Sequence, residues 1–330
     1  MNNKSILITG GTGSFGKAFI SLLLKKYKKI KKIVVFSRDE LKQYDLSKNY
    51  PLSKFSCMRY FIGDVRDKSR LDMALRDIDI VVHAAALKQV DTAEYNPIET
   101  IKTNIVGSQN IVEACLDSGV KNVIALSTDK AVSPMNLYGA TKLCSEKLFL
   151  AANNLRGKNK IKFSVVRYGN VMGSRGSVLP LFIKLYKEGA KILPLTHEEM
   201  TRFNISLLDA TKIVDRMVSN NVGGEIYIPK IPTFDIKDLV KAIDSKLEYK
   251  IIGTRIGEKL HEELINVEES KKSIEFKNNY ILLPNSNLNE IQKYAKKYKG
   301  FLCNKPFSYN SSDTRFKLNI SDLRKNINNY

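Results

Sequence analysis

Residues 5–16 read SILITGGTGSFG, a short apolar run that passes directly into a glycine-rich turn. Gly11, Gly13 and Gly16 fit the pattern GxGxxG, and Gly10, Gly13 and Gly16 fit GxxGxxG. Glycines permit a tight turn and let backbone amides at a helix N-terminus approach a pyrophosphate, whose charge the helix dipole favours. The stretch therefore predicts a strand, a phosphate-binding turn and a helix, and with them a nucleotide site.

Apolar runs rich in Val and Ile recur along the first half of the chain, with helical stretches between them. Such runs are typical of strands buried on both faces, so the alternation predicts an α/β fold with a Rossmann-like, doubly wound parallel sheet. The predicted strands are Ser5–Thr9, Lys32–Phe36, Arg59–Ile62, Asp79–His83, Asn122–Ser127 and Lys162–Arg167, and the main predicted helices are Asn96–Ser118 and Asn136–Asn154.

After about residue 170 the elements become shorter and glycines punctuate the chain. We predict three parts: a nucleotide-binding domain over 1–170, a smaller C-terminal substrate-binding lobe over 171–284 that is interleaved with the sheet, and an extension of unknown role over 285–330. Elements predicted for the lobe are Asp209–Ser219, Ile226–Ile228 and Asp235–Ile243. The extension is polar and rich in Asn, Ser and Lys, which predicts only partial order.

The chain of 330 residues carries a formal net charge of +20, which could indicate a nucleic-acid or membrane binder. Its densest basic run, residues 25–32, falls where a predicted helix ends, and lysines favour helix C-termini. We therefore predict a solvated helix end and no nucleic-acid or membrane partner, although a small anionic ligand also suits the charge.

Targeting and metal-binding patterns are absent from the sequence. No signal peptide precedes Gly10, and the longest apolar runs fall short of the roughly 20 residues that a membrane span needs. The 4 cysteines lie far apart and only 3 histidines are available. The sequence predicts a soluble cytoplasmic protein with reduced thiols and no metal site.

The cofactor prediction depends on the end of the second strand, where Ser37, Arg38 and Asp39 stand. A carboxylate here commonly binds the ribose of NAD, whereas Arg38 can bind a 2'-phosphate, so we predict NADP. The alternative is a surface arginine that opens a helix. The predicted cofactor residues are Gly10, Thr12, Gly13, Ser14, Phe15, Gly16, Ser37, Arg38, Asp39, Lys42, Asp64, Val65, Ala84, Ala85, Ala86, Tyr138 and Lys142.

Tyr138 and Lys142 lie one helical turn apart and therefore on one helix face. An ammonium beside a phenol stabilises the phenolate, and this predicts a tyrosine that accepts a proton from an alcohol during hydride transfer. Thr128, Asp129 and Lys130 follow the fifth predicted strand, at the sheet edge where open parallel sheets bind ligands. A protonated Asp129 could donate to a departing hydroxyl, and a neutral Lys130 could remove a carbon-bound proton.

The glycine turn, the polar strand end and the Tyr/Lys pair resemble the extended short-chain dehydrogenase family. Within it, the chain is similar to the inverting UDP-N-acetylglucosamine 4,6-dehydratases, which begin pseudaminic acid synthesis for flagellin glycosylation. The similar runs cover roughly residues 4 to 285 and are FSRDELKQ (36–43), HAAALKQV (83–90), AEYNP (93–97), LSTDKAVSPMNLYGATK (126–142), RYGNVMGSRGSV (167–178), MTRF (200–203) and IGTRIGEKLHEELI (252–265).

The resemblance implies UDP-N-acetylglucosamine as substrate and a homo-oligomer, possibly a hexamer. Lys130 would be the base, Asp129 the acid, Thr128 the group that holds the C4 oxygen, and Tyr138 with Lys142 the hydride-transfer pair. The implied substrate residues are Lys88, Asn170, Val171, Arg175, Ser177, Val178, Arg202, Arg255 and Glu258. A UDP-sugar 4-epimerase and a non-catalytic NADP-binding regulator remain as alternatives, and Asp91 leaves the tolerance for other UDP-sugars open.

Overall fold

A computed structural model describes residues 1–174, 176–303 and 305–328. Its strands are β1 (Ser5–Thr9), β2 (Lys32–Ser37), β3 (Met58–Ile62), β4 (Ile80–His83), β5 (Asn122–Thr128), β6 (Lys162–Tyr168), β7 (Ile192–Leu195), β8 (Thr201–Phe203), β9 (Ile226–Pro229), β10 (Thr233–Asp235), β11 (Glu248–Ile251), β12 (Glu263–Ile265), β13 (Ser273–Glu275), β14 (Asn279–Leu282), β15 (Phe301–Leu302) and β16 (Tyr309–Asn310). Its α-helices are α1 (Ser14–Lys26), α2 (Glu40–Asn49), α3 (Lys68–Ala74), α4 (Val90–Tyr95), α5 (Pro97–Ile101), α6 (Gly107–Leu116), α7 (Leu137–Leu155), α8 (Val178–Lys187), α9 (Leu207–Asn220), α10 (Ile236–Ile243), α11 (Val267–Ser270), α12 (Leu288–Tyr298) and α13 (Ile320–Asn328). A π turn covers Lys102–Val106, and 3-10 turns cover Asp129–Ala131 and Thr314–Phe316.

The central sheet has the strand order β15-β13-β14-β9-β6-β5-β4-β1-β2-β3. The pairs from β3 through β9 are parallel. Strands β1 and β5 are almost wholly buried because helices cover both faces, with α1 packed on α9 and α3 and α7 packed on α6. The predicted Rossmann-like, doubly wound sheet is confirmed, and each of the six predicted strands agrees with an observed strand to within one residue at either end.

Three antiparallel strands, β14, β13 and β15, extend the parallel sheet beyond β9. The expectation of a partly ordered tail is wrong for most of the described residues after Asn285. Helix α12 buries Ile291 and Ala295, and Tyr309 of β16 is buried with its hydroxyl bonded to the backbone of Ile231. The tail is polar overall, but its few apolar residues recur at helical spacing and supply one packed face, which is sufficient for docking.

The long helix predicted over Asn96–Ser118 is interrupted by the π turn between α5 and α6. This turn points the Asn104 side chain inward, where it accepts a hydrogen bond from Leu87 N at 2.8 Å and donates one to Leu87 O at 2.9 Å. A carboxamide that satisfies both backbone groups of one residue fixes the position of that residue. The π turn therefore holds the segment that follows β4.

A second, smaller hydrophobic core lies outside the sheet. It contains Leu179 and Phe182 of α8, Leu239 of α10 and Leu323 of α13. The last helix thus completes a core that is otherwise built from the region between α8 and β11. Strands β7 and β11 pair in parallel at this core.

A buried ion cluster joins the sheet to the second half of the chain. Arg167 of β6 is fully buried and makes five hydrogen bonds: two to Glu146 of α7, two to Glu269 of α11 and one to Leu264 O, with lengths of 2.6 to 3.0 Å. A planar guanidinium can engage two carboxylates and a carbonyl at once, which an ammonium cannot do. Arg167 therefore connects β6 with α7 and with the region of β12 and α11, which are distant in sequence.

The basic run at residues 25–32 ends α1 and leads into β2, and five of its lysines are exposed: Lys25, Lys26, Lys28, Lys29 and Lys31. This placement agrees with a solvated helix end. In the described part of the chain, no helix is both long enough and apolar enough to cross a membrane.

Candidate active site

A cleft of about 750 Å³ lies along the carboxyl ends of the parallel strands. It brings together all of the predicted cofactor residues and all five predicted catalytic residues. Its described lining also includes residues that the sequence analysis did not assign: Lys17, Phe36, Gly63, Leu87, Gln89, Thr103, Leu126, Ser127, Tyr168, Gly169, Ser174, Gly176 and Leu207.

The glycine turn forms one wall of the cleft and its shape requires glycine. Gly10 has φ +63°, and a Cβ there would lie 2.9 Å from Ala85 N. A Cβ on Gly16 would lie 2.4 Å from Gly11 O. Helix α1 begins after Gly13 with no side-chain cap, so its first amides face the cleft. A glycine turn followed by uncapped backbone amides at a helix N-terminus fits a dinucleotide pyrophosphate.

Another part of the cleft carries the residues at the end of β2, where the sequence predicts that the cofactor ribose or its 2'-phosphate binds. Thr12 Oγ1 and Ser37 Oγ lie 2.8 Å apart. Asp39 caps α2 by accepting from Lys42 N at 2.9 Å and forms an ion pair with the Lys42 ammonium. Arg38 is half exposed, 3.6 Å from Asp64. The Asp39 carboxylate is paired with Lys42 and the Arg38 guanidinium lies beside Asp64, so the contact of Arg38 with a 2'-phosphate stays a prediction.

Tyr138 and Lys142 both line the cleft from α7. Burial raises the pKa of Tyr138 to about 12, opposed chiefly by the positive charge of Lys130. Burial lowers the pKa of Lys142 to about 8, and its ammonium donates to Leu126 O at 2.7 Å. The expectation of a tyrosine pKa lowered by Lys142 is thus wrong for this structure. Burial raises the pKa of Tyr138, and the principal charge that opposes the rise is that of Lys130.

Polar side chains lie behind Lys142, where the sheet meets α6. His83 Nδ1 is 2.9 Å from Thr9 Oγ1, and His83 Nε2 is 3.4 Å from Ser108 Oγ. Burial, together with Lys142, lowers the pKa of His83 to about 3. His83 is therefore neutral at physiological pH and acts as a hydrogen-bonding part of the core.

The 3-10 turn after β5 places Asp129 and Lys130 at the floor of the cleft. Thr128 Oγ1 donates to Asp129 Oδ1 at 2.9 Å, and Lys130 Nζ lies 3.1 Å from the same oxygen. Lys130 Nζ is also 3.0 Å from Glu262 Oε1. The Asp129 and Glu262 side chains are fully or almost fully buried.

Burial and the nearby Glu262 charge raise the pKa of Asp129 despite the proximity of Lys130. For Lys130, burial disfavours the charge, but the two carboxylates outweigh it and raise its pKa. The raised pKa of Asp129 makes its protonated form more accessible than in a free aspartate, and the raised pKa of Lys130 favours an ammonium over a neutral amine. The roles of acid and base stay predictions.

The predicted substrate residues divide into two groups. Among the described ones, four line the cleft and four do not. The lining residues are Lys88, Asn170, Val171 and Ser177, and the Asn170 Oδ1 and Ser177 Oγ atoms are buried without a hydrogen-bond partner among the described residues. Val178 begins α8 outside the described lining, and Arg175 lies outside the described residues.

The other three predicted substrate residues lie outside the described lining of the cleft. Arg202 is buried, with Nη2 3.2 Å from Glu258 Oε1 and Nε 4.0 Å from Glu262 Oε1. The Arg255 backbone N–H donates to Glu258 Oε2 at 3.2 Å, and the residue is exposed. Arg202 and Glu258 are engaged with each other here, so their predicted contacts with substrate stay predictions.

Glu262 is the principal residue that the sequence analysis missed. It stands within the run IGTRIGEKLHEELI but was not singled out, because two adjacent glutamates look like an exposed pair. The available signal was its position directly before the apolar strand β12, where alternate residues turn inward. The structure buries Glu262 and leaves Glu263 half exposed.

Comparison with known proteins shows to which family the chain belongs. The model of a family described as polysaccharide biosynthesis protein matches residues 6–284. The chain belongs to this family.

Within it, a UDP-N-acetylglucosamine 4,6-dehydratase (inverting) from Campylobacter jejuni is 53% identical over 99% of this chain and 98% of its own. A UDP-glucose 4-epimerase from Rickettsia conorii is 42% identical over 98% of this chain and 95% of its own. The crystal structure of Pen from Bacillus thuringiensis is 36% identical, has a TM-score of 0.88 and covers 99% and 98% of the two chains. The resemblance to the inverting dehydratases that the motifs indicated is confirmed.

Proposed function

We propose that this member of the family is an NADP-dependent UDP-N-acetylglucosamine 4,6-dehydratase that inverts C5. The observation that carries the proposal is the cluster of Asp129, Lys130 and Glu262, in which Asp129 and Lys130 line the cleft together with Tyr138 and Glu262 is buried against Lys130. A tyrosine with a supporting lysine suffices for reversible oxidation of an alcohol. Elimination of water additionally needs an acid and a base, and this cluster supplies both.

A bound nicotinamide dinucleotide would accept a hydride from C4 of the sugar and return it to C6. The glycine turn and the first amides of α1 would hold its pyrophosphate. Tyr138 would take the proton of the C4 hydroxyl, and Thr128 would hold the C4 oxygen. The Tyr138 pKa of about 12 means that the phenol needs a nearby positive charge at that moment, and Lys130 is the cation that already favours its phenolate.

The 4-ketone acidifies the C5 proton, and Lys130 would abstract it as a neutral amine, after its ammonium has passed one proton to a neighbouring carboxylate. The C6 hydroxyl would leave as water with the proton of Asp129, for which a raised pKa is required. Protonation of C5 on the opposite face would then give the L-arabino 4-keto-6-deoxy sugar. This product would enter pseudaminic acid synthesis for flagellin or surface glycosylation.

The proposal is tested by incubating the protein with UDP-N-acetylglucosamine and following the sugar by NMR. We expect a ketone or its hydrate, a new C6 methyl group, and solvent deuterium at C5 in D₂O. A product that retains its C6 hydroxyl and differs only at C4 would identify a UDP-sugar 4-epimerase, as the names of the Rickettsia relatives suggest. No turnover, together with salt-dependent nucleic-acid binding, would favour a regulator.

NADP selectivity gives a separate prediction. Replacing Arg38 with alanine is expected to weaken NADP⁺ binding roughly tenfold or more, since a charge-assisted contact to phosphate contributes about 1.5–3 kcal/mol. NAD⁺ binding should hardly change. Calorimetric titration with both cofactors measures the difference.

The matched control is Arg59→Ala, because Arg59 lies on β3 outside the described cleft lining and bonds only to the Ser56 and Met58 carbonyls. Equal affinities of the Arg38→Ala variant and the wild type for NADP⁺ would make NAD the better assignment. Homo-oligomeric assembly and a cytoplasmic location stay predictions.

A further inference from the structure

The Lys130 ammonium lies between two buried carboxylates that come from different parts of the chain. Asp129 is its neighbour in the 3-10 turn, and Glu262 immediately precedes β12. The two contacts are of almost equal length, 3.1 Å to Asp129 Oδ1 and 3.0 Å to Glu262 Oε1. Arg202 adds a second cation, but it also pairs with Glu258, so that the three carboxylates Asp129, Glu262 and Glu258 share two cations. This excess of buried carboxylates favours a proton on one of them.

The surroundings of the two carboxylates differ. Glu262 faces a second cation, because Arg202 Nε lies 4.0 Å from Glu262 Oε1. Asp129 has no second cation and has Thr128 as its other donor. Each carboxylate has one buried oxygen without a hydrogen-bond partner among the described residues, Asp129 Oδ2 and Glu262 Oε2, but only Asp129 belongs to the described cleft lining. A Cβ built on Gly169, a residue of the cleft wall, would lie 3.1 Å from that Oδ2. The negative charge is therefore better placed on Glu262, and the unpartnered oxygen of Asp129 is the place for a proton beside the cleft.

We infer that Glu262 is the proton partner of Lys130: it pairs with the ammonium so that Asp129 keeps its proton, and it accepts the Lys130 proton when the amine acts as a base. In that transfer one N–H bond of Lys130 breaks and an O–H bond forms on Glu262, with no change in the net charge of the cluster. The inference rests on the proposed function, in which Lys130 and Asp129 are base and acid.

The directions of the two carboxylate pKa shifts agree with the resting charges of this assignment. Because the pKa of Lys130 is raised and that of Glu262 is lowered, the resting pair is ionic and the proton transfer between them is uphill. The pKa of Asp129 is raised by burial and by Glu262. Burial would raise the pKa of Glu262 too, but Lys130 and Arg202 together lower it. The other ionisable groups that face the cluster are Tyr138 from α7, Arg202 from β8, and Glu258 and Lys259 from the segment before β12.

Glu262→Gln separates this role from a merely structural one. Without the Glu262 charge, Asp129 becomes the only counter-ion of Lys130 and loses its proton. We expect kcat for 6-deoxy sugar formation to fall by roughly 100-fold with little change in KM. Reduction of the bound nicotinamide on mixing with substrate should persist, because Tyr138 and Lys142 are intact.

Infrared difference spectroscopy tests the protonation state without relying on activity. The C=O stretch of a protonated carboxyl that is lost in Asp129→Asn should be present in the wild type at neutral pH and absent in Glu262→Gln. Glu262→Asp retains the charge and should retain the band. Glu263→Gln is the matched control, since Glu263 bonds to Ser308 and does not touch Lys130.

The inference is overturned if Glu262→Gln keeps the Asp129 carboxyl band, or if the Gln and Asp variants lose kcat equally. Wild-type protein that forms no 6-deoxy sugar would instead reject the proposed function, and the band would still report the charge state of the cluster.

Discussion

Replacing Lys130 with alanine is expected to reduce 6-deoxy ketosugar formation by roughly 10²- to 10⁴-fold, the usual contribution of a positioned acid or base. Lys130 is the only ammonium that the described structure places within hydrogen-bond reach of both Asp129 and Glu262. Its loss removes the base, and it also leaves Asp129 without its cation and Glu262 with only the more distant Arg202. The rate of C6 methyl formation, followed by NMR, is the measurement.

Lys259→Ala is the control for this prediction. This substitution also removes a lysine ammonium. The Lys259 ammonium donates to Val132 O at 2.6 Å, and Lys259 does not line the described cleft. The variant should retain most of the activity. Undiminished ketosugar production by Lys130→Ala would remove the basis of the proposed chemistry, provided that thermal melting shows a folded variant.

The second large effect concerns stability. Replacing Arg167 with methionine is expected to lower the free energy of unfolding by about 3–5 kcal/mol, because it removes one partner of a buried ion cluster and leaves Glu146 and Glu269 uncompensated. Arg167→Lys should also destabilise the protein, since an ammonium cannot form all five hydrogen bonds of the guanidinium. Equilibrium unfolding in urea measures both.

Arg76→Met is the matched substitution at an exposed arginine after α3 and should change stability by no more than about 0.5 kcal/mol. If Arg167→Met unfolds at the same urea concentration as Arg76→Met, the cluster contributes nothing net to stability. Glu146 and Glu269 would then have to be protonated or hydrated in the variant.

The sheet was predictable because its strands are recognisable locally. Runs such as Ser5–Thr9 and Lys162–Arg167 are apolar on both faces, and only a fully covered parallel strand requires that pattern. The glycine turn was equally readable, since Gly10 is required by its own positive φ and Gly16 by the backbone of Gly11, within the same turn. Local sequence and local structure coincide in these elements.

Only part of the acid–base cluster could be predicted, because its members are not all close together in the sequence. Asp129 and Lys130 adjoin a recognisable strand end, whereas Glu262 reaches them through tertiary packing that no short pattern encodes. The protonation states also depend on burial, which reverses the expected pKa shift of Tyr138. The docking of the tail likewise depends on distant partners, as Tyr309 and Ile231 show.

The π turn at Lys102–Val106 bears on how relatives should be aligned with this chain. A π turn accommodates one residue more than a regular helix, and one residue corresponds to a rotation of about 100°. A homologue with a single deletion in this interval would have its preceding helix out of phase, with a different side chain opposite Leu87. An alignment that closes such a gap by sliding the sequence would equate Asn104 with a residue on another side of the helix.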